Sequence, residues 1–494
     1  MEVAVVLLFS AFLCLLLHRL LRRRRPSHLP LPPGPRGFPL FGVLPLLNPD
    51  ILGSLFRLSK RYGPLMYLKL GNRGTLVVSS PAAARAIFTT ADAHFANRPP
   101  LPTASMVTYE RQDIIFGTYG PRWKLLRKLC VTHMLGARPL ADSAPIRREE
   151  VGILLRSLHD SCDAPVVVPD ALMSTVWNIM GRVLLSKRVY EDPPEFKVKM
   201  RQVLAGNGFF SVMDLVPVMI WLDLQGFHKE VRDVHLQFDA MISKMLADHA
   251  ASAKEREGRP DFIDLVMQNR TGSDGETVSD VNIKGLILDM FTAGTDPAKV
   301  VTEWALAEMV SNPEIMKRAQ SEIDQVVGKG RRLEEADLPS LPYLQAICKE
   351  AFRKFPPAPV GLPHCTFEAC EVEGYYIPAD TQLFVNLWGM GRDPDVWEEP
   401  MEFRPERFLS DGGRGAENNF ELIPFGGGRR VCVGKQSGLL LVQYMLGSLV
   451  HSFDWRLPAG EKKADMEEKF LFSLSKAVPL TVLLSPRLAP SAYM

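Results

Sequence analysis

The 494-residue chain has almost no net charge: 58 lysines and arginines face 56 aspartates and glutamates, a formal +2. A nucleic-acid-binding domain needs a basic stripe or patch, so no nucleic-acid partner is expected. Cysteine is scarce and poorly placed for cross-linking. The seven cysteines stand at 14, 130, 162, 348, 365, 370 and 432. Their number is odd and no two share CxxC spacing, which argues against a disulfide framework and a zinc cluster. A reducing compartment is therefore expected for the bulk of the chain. Internal repeats and long low-complexity tracts are missing. The length alone would allow about three domains, but no linker divides the interior, so one large globule is expected.

What is present begins at the N-terminus. Val3 to Leu17 is almost wholly apolar, and four arginines stand at 22 to 25. The run is shorter than the roughly 20 residues a spanning helix wants. Its charges follow rather than precede it, and no small-residue cleavage site comes after. Both features favour an uncleaved anchor over a signal peptide. The positive-inside rule then puts the arginines and all that follows in the cytosol. "LPLPPGPRG" cannot continue a helix and reads as a stiff spacer. The expected division is a transmembrane anchor over 1–21, a basic, proline-rich hinge over 22–37 and the globule over 38–494. Asn269 opens a glycosylation sequon that a cytosolic location leaves unused.

The globule reads as mostly α with a minor β region. "PLMYLKLGNRGTLVVSS" gives two short strands around a turn, and "CEVEGYYIPADTQLFVNLW" gives more, with a bend at Gly374. Helical patterns fill most of the rest. The segment from Val278 to Met316 is apolar on most faces in its middle, so it is expected to run through the core.

One loop concentrates chemistry. "PFGGGRRVCVG" places Cys432 between glycines, just after two arginines and just before an apolar helix. A thiolate needs its charge stabilised, and a helix start offers backbone N–H groups and a positive dipole end. Glycines at 426, 427, 428 and 434 allow close approach to a flat cofactor. Arg430 can fork onto a carboxylate, and Phe425 can pack against the sulfur. These are the requirements of a haem-thiolate site. The plainer reading is a glycine-rich loop around a buried cysteine.

"FGGGRRVCVG" resembles the cysteine signature of the cytochrome P-450 superfamily, F-x-x-G-x-R-x-C-x-G, at Phe425, Gly428, Arg430, Cys432 and Gly434. Further pieces stand in that family's order. Glu350 and Arg353 match its E-x-x-R, and Arg407 in "RPERF" matches the arginine buried with them. Trp123 and Arg127 match W-x-x-x-R, whose members contact a haem propionate. His364 stands where the family often has a propionate ligand. The resemblance implies the cytochrome P-450 fold, a single haem-thiolate catalytic domain over 38–494, and heme b with Cys432 as its metal ligand. It also implies an endoplasmic reticulum membrane location with the catalytic domain in the cytosol.

More narrowly, stretches such as "HMLG", "LDLQGF", "EACEVEGYYIP" and "FELIPFGGGRR" resemble plant flavonoid 3',5'-hydroxylases and 3'-hydroxylases. That resemblance implies a monooxygenase acting on the B-ring of a flavanone, dihydroflavonol or flavone. Its electrons would come from NADPH through NADPH–cytochrome P-450 reductase. By family position, the pocket walls fall near Pro99–Gly117, Leu286–Thr295, Pro359–Leu362 and Phe472–Ser475. Ala293, Val360, Leu362 and Leu474 are the implied substrate contacts. Asp289 either binds a phenolic hydroxyl or turns to another buried polar group.

The family pattern breaks at "AGTDPAK". The usual threonine, which helps to deliver protons during oxygen activation, is Pro297. Proline removes an N–H and clashes with the carbonyl of Ala293, so a kink is expected. Thr295 and Asp296 remain as catalytic candidates at that kink, together with Pro297 itself. The break keeps other readings open: another phenolic or terpenoid substrate, a haem-thiolate isomerase or dehydratase, or a non-catalytic haem protein.

Overall fold

The computed structural model describes Ser10 and residues 28–47, 50–162, 164–189, 212–215, 227–409, 419–470 and 473–493. The expected anchor over 1–21, apart from Ser10, and the four arginines at 22 to 25 lie outside the described residues. Among the described residues no helix is long and apolar enough to cross a membrane.

A small sheet stands beside a large helical body. Strands β1 (Leu65–Leu70) and β2 (Arg73–Val78) pair antiparallel around the predicted turn. Two later strands complete this sheet, β3 (His364–Cys365) and β4 (Gln382–Val385), in the order β1-β2-β4-β3. β2 and β4 run parallel, with Thr75 opposite Gln382, so the chain has crossed the body between them. A hairpin of β5 (Glu468–Phe470) and β6 (Leu474–Lys476) lies near the C-terminus.

Six helices position the site. α1 (Pro121–Cys130) begins on a proline, at a position whose N–H has no helical partner anyway. α2 (Val168–Leu185) and α3 (Asp280–Ala293) follow. A reciprocal cap between Ser279 and Asn282 starts α3. α4 (Asp296–Ser311) continues α3 after a break at Gly294 and Thr295, with Pro297 in its first turn. The expected kink is thus a full interruption, and the proline sits where its missing N–H costs least. α5 (Pro342–Lys354) and α6 (Lys435–Ser452) complete the set.

α4 packs on α2, α5 and α6. Val300, Val301, Trp304, Ala305 and Leu306 are each 0 % exposed. Trp304 stacks on Phe355 with ring centroids 4.1 Å apart and planes 2° apart. Burying a large side chain of this kind contributes about 2–3 kcal/mol. The break between α3 and α4 is therefore held from the α4 side by the densest part of the core.

Candidate active site

The loop at 424–434 leads into α6. Gly426 and Gly428 have φ of 71° and 63°, the left-handed region that glycine enters without strain. At Gly428 space is closed as well, since a Cβ would lie 2.0 Å from Asp92 Oδ1. The Asp92 carboxylate accepts the Arg429 N–H at 2.9 Å, which pins the loop. The Cys432 N–H donates to the Phe425 carbonyl at 3.0 Å. Phe425 in turn packs on Phe352 of α5, with centroids 5.2 Å apart. Gly434 immediately precedes α6.

The Cys432 sulfur lies deep but is not covered: it faces an internal cavity of about 280 Å³. Burial pushes the thiol up. The Gly434 N–H and the charges of Arg127 and Lys435 oppose that shift.

Three guanidinium groups, those of Arg98, Arg127 and Arg430, line the cavity together with His364. Arg430 donates to the carbonyls of Ala96 at 2.7 Å and Gly117 at 2.6 Å. Its Nη1 has no partner among the described residues. Its guanidinium lies 4.3 Å from the Trp123 ring centroid, and that of Arg127 lies 5.5 Å from it. Arg98 is tied to the carbonyls of Ile115, Leu362 and Pro363. Burial, then the charge of Arg98, lowers Arg430 to about 8. Guanidinium does not give up its proton in proteins, so the shift reads as demand for an anion. His364 is pushed well below its usual range by burial and by Arg98. Its Nδ1 lies 3.0 Å from the Phe95 carbonyl, which fixes the proton there.

The α3–α4 break forms another part of the wall through Ala293, Gly294, Pro297 and Ala298. Thr295 is turned away, donating to the Phe291 carbonyl at 2.6 Å with 0 % exposure. Asp289 touches the cavity, but its Oδ2 accepts the N–H groups of Ile114 at 2.8 Å and Ile115 at 3.2 Å. It also shares a hydrogen bond with Asp113. Of the two roles expected for Asp289, the geometry favours the turn to a buried polar group. Burial raises both carboxyls, Asp113 to about 6 and Asp289 well above the ordinary range. The pair therefore shares a proton.

Behind the site, Glu350 and Arg353 meet on α5. Arg353 donates to the carboxylate at 2.7 and 2.8 Å, both side chains being 0 % exposed. Arg407 joins at 3.2 Å and the Arg404 N–H at 2.7 Å. Arg353 also reaches the carbonyls of Gly391, Pro400 and Glu402. The cluster thus ties α5 to the segment leading toward the cysteine loop.

Several expected positions need correction. Leu362 and Ala293 line the cavity, but Val360 and Leu474 do not. Both are buried in the apolar cluster beneath the small sheet. Leu474 is in β6, where neighbours face opposite ways, while Val360 stands in a turn closed by the Gly361 N–H on the Ala358 carbonyl, and Gly361 and Ser473 are the ones at the wall. Phe472 lies outside the described residues. The Trp123 indole N–H is spent on the Ile114 carbonyl at 2.8 Å, so its ring serves the site by carrying two guanidinium groups. Sequence reasoning missed Arg98 and Met180, and it did not single out Asp113 or Ser473, although Ser473 falls inside the expected Phe472–Ser475 wall. Arg98 and Asp113 fall within or beside the expected Pro99–Gly117 wall, and a charged residue in an apolar stretch was the available signal.

A deep thiol facing an apolar cavity lined by three guanidinium groups, set in this helical body, defines the haem-thiolate class. The residues fit an iron porphyrin: an unencumbered sulfur for the metal, and an orphaned guanidinium N–H in a cation cluster for two carboxylates. The chain belongs to the cytochrome P450 family, whose model matches residues 32–483. It is 49% identical to a flavonoid 3',5'-hydroxylase of Solanum melongena, covering 96% of this chain and 93% of that one. It is 50% identical to flavonoid 3',5'-hydroxylase 2 of Petunia hybrida, covering 89% and 88%. A flavonoid 3'-monooxygenase of Crocosmia x crocosmiiflora is 42% identical, covering 99% and 98%. Among solved structures, a zebra fish cytochrome P450 with progesterone superposes with a TM-score of 0.76 at 26% identity, covering 89% of this chain and all of that one.

Proposed function

We propose that the chain hydroxylates the B-ring of a flavonoid, using O2 and electrons passed from NADPH by NADPH–cytochrome P-450 reductase. The observation that carries this reading is the 49% identity to a flavonoid 3',5'-hydroxylase over 96% of the chain. When bound, heme b activates dioxygen and places one of its atoms in the substrate.

The chain's own residues bind, orient and exclude water. Cys432 would hold the iron, backed by the Gly434 N–H and flanked by Phe425. Arg430, Arg127 and His364 would hold the propionates, and Trp123 orients two of those groups. Gly428 lets the loop turn without a side chain in the way. Glu350, Arg353 and Arg407 keep the loop's support rigid. Ala293 and Leu362 present apolar surface to a planar substrate, which suits a flavonoid ring. Asp289 and Asp113 fix the Ile114–Ile115 wall over it. Asp296, Thr295 and Pro297 shape the helix break beside the reacting carbon.

The anchor over 1–21 places the enzyme on the endoplasmic reticulum with its catalytic domain in the cytosol. In support of a membrane partner, Phe38, Leu40, Phe41, Leu46 and Ile51 are exposed just after the proline-rich segment. Microsomes holding this chain and the reductase, given NADPH and naringenin, are expected to form a product heavier by one oxygen atom. Absence of product across flavanones, dihydroflavonols and flavones overturns the reading. Pro297 favours one alternative, a haem-thiolate isomerase or dehydratase, which turns substrate over without NADPH and adds no oxygen. Oxygenation of a different phenol or terpenoid alone points to a related monooxygenase.

A further inference from the structure

Hydroxylating a C–H bond with O2 takes two electrons and two protons: one oxygen atom enters the substrate and the other leaves as water. The electrons come from the reductase. The protons must cross protein to reach an apolar cavity. The helix break supplies no hydroxyl for this, because Ala293, Gly294, Pro297 and Ala298 form that wall and Thr295 is turned into the backbone. Asp289 is engaged with Asp113 and two backbone N–H groups.

The hairpin of β5 and β6 fills the gap. Ser473, next to β6, lines the cavity, and its hydroxyl donates to Asp296 Oδ2 at 2.5 Å. The other oxygen of that carboxylate, Oδ1, accepts from Lys299 Nζ at 2.5 Å. The Lys299 side chain is 13 % exposed and that of Asp296 5 %, and Asp296 and Ser473 are both buried. A partly solvated ammonium is thus linked through one buried carboxylate to one hydroxyl on the cavity wall. Asp296 is the first residue of α4 and Lys299 lies one turn on, so Pro297 between them leaves the link intact.

We propose that Lys299, Asp296 and Ser473 form the proton route into the cavity, with the Ser473 hydroxyl standing in for the side chain that Pro297 lacks. This rests on the monooxygenase reading of the site. In one pass, a Lys299 N–H bond breaks and an Asp296 O–H bond forms. The Ser473 hydroxyl turns to the cavity, gives its proton to the oxygen atom that leaves as water, and takes the Asp296 proton in its place. Lys299 is then reprotonated from solvent. Carboxylate and hydroxyl end as they began, one proton has entered, and two passes serve one turnover.

The test uses the full-length haem-loaded enzyme with reductase, comparing wild type, Ser473→Ala and Ser473→Thr. In Ser473→Ala, product per NADPH is expected to fall about tenfold, short of the roughly 10²–10⁴-fold of full general acid–base catalysis, because water can enter in place of the hydroxyl. Peroxide per NADPH rises, and the solvent deuterium isotope effect on turnover changes. Ser473→Thr is expected to restore all three. Two readouts do not depend on turnover. The infrared carboxylate band of Asp296, assigned with Asp296→Asn, is expected to shift in Ser473→Ala and return in Ser473→Thr. The spectral dissociation constant for substrate is expected to stay within twofold. Unchanged coupling and isotope effect in Ser473→Ala overturn the proposal. So does a loss that follows weakened substrate binding and is not restored by threonine, since that marks packing alone. Failure of the flavonoid reading is distinct: wild type then makes no oxygenated product, while peroxide yield and isotope effect on NADPH oxidation still rank the three variants.

Discussion

Glu350 shows how little an acid–base pair at i and i+3 reveals about its own energetics. Glu314 and Lys317 have the same spacing and are paired at 3.3 Å, but their side chains are 89 % and 72 % exposed. An exposed pair of this kind contributes about 0–1 kcal/mol. Glu350 instead faces two guanidinium groups and a backbone N–H with no exposure at all. Removing one member of a buried set leaves charge without a counterpart, at a cost of about 3–5 kcal/mol. Glu350→Gln keeps the shape and one acceptor oxygen, so the loss is expected toward the lower end of that range. Glu314→Gln is expected to change stability by less than about 1 kcal/mol. Denaturant midpoints of the two variants, measured side by side, check the contrast. Equal midpoints would mean that the buried cluster is not what holds α5 to the following segment.

At the scale of elements, the wall over the cavity is held by a carboxyl pair rather than by apolar packing alone. Three successive residues at its start, Tyr109, Glu110 and Arg111, have φ of 51°, 57° and 64°. Non-glycine residues there cost about 1–3 kcal/mol each, which the surroundings must offset. Asp289 on α3 does so by taking the N–H groups of Ile114 and Ile115, with Asp113 beside it. The other groups acting on the pair are Arg430 and the Cys130 thiol, and Arg98 feels the charge of Asp113. Asp113 titrates at about 6 when folded, above its ordinary 3.8. Between those values the folded chain binds more protons than the unfolded one, so stability falls as pH rises through the window. The expected loss is on the order of 1–3 kcal/mol. Asp289, raised well above the ordinary range, contributes with the same sign, so Asp289→Asn is expected to make the slope shallower while the share of Asp113, set by burial, remains. Unfolding midpoints between pH 4 and pH 7 for both proteins measure it, and identical slopes would refute a shared proton.

The same elements show what could be read from sequence and what could not. The strands at 65–78, the break at Pro297 and the string around Cys432 depend on neighbours within a few residues, so local pattern sufficed for them. The bond from Ile114 to Asp289, the Arg98 ties and the Ser473 link join residues 175, 264 and 177 positions apart. No periodicity encodes such meetings, because the topology brings them together. Val360 and Leu474 went astray for a smaller reason. In the strand that holds Leu474 an error of one residue moves a side chain to the opposite face, and in the turn at Val360 the chain reverses within a few residues, with Gly361 at φ 65°.

For the whole molecule, the near-cancelled charge leaves apolar surface as the handle for a membrane. Phe38 is 54 % exposed, Leu40 69 % and Phe41 42 %, all within a few residues of the proline-rich segment. Large apolar side chains scattered singly over a surface are ordinary, but a cluster along one stretch marks an interaction face. The N-terminal run is short for a bilayer span, so a second apolar contact would add to its hold. Side chains of this size, moved from water into the lipid boundary, contribute about 1–2 kcal/mol each at partial burial. Replacing Phe38 and Leu40 together by serine is thus expected to weaken vesicle binding of a chain beginning at residue 28 by tenfold or more, at about 1.4 kcal/mol per factor of ten. Co-sedimentation with neutral phosphatidylcholine vesicles measures this without a contribution from lipid charge. A matched double replacement at Leu236 and Met267, exposed at 57 % and 38 % elsewhere on the surface, is expected to leave binding unchanged. If both double variants lose binding alike, the chain adheres through general hydrophobicity. If neither does, the proposed membrane contact does not run through this stretch.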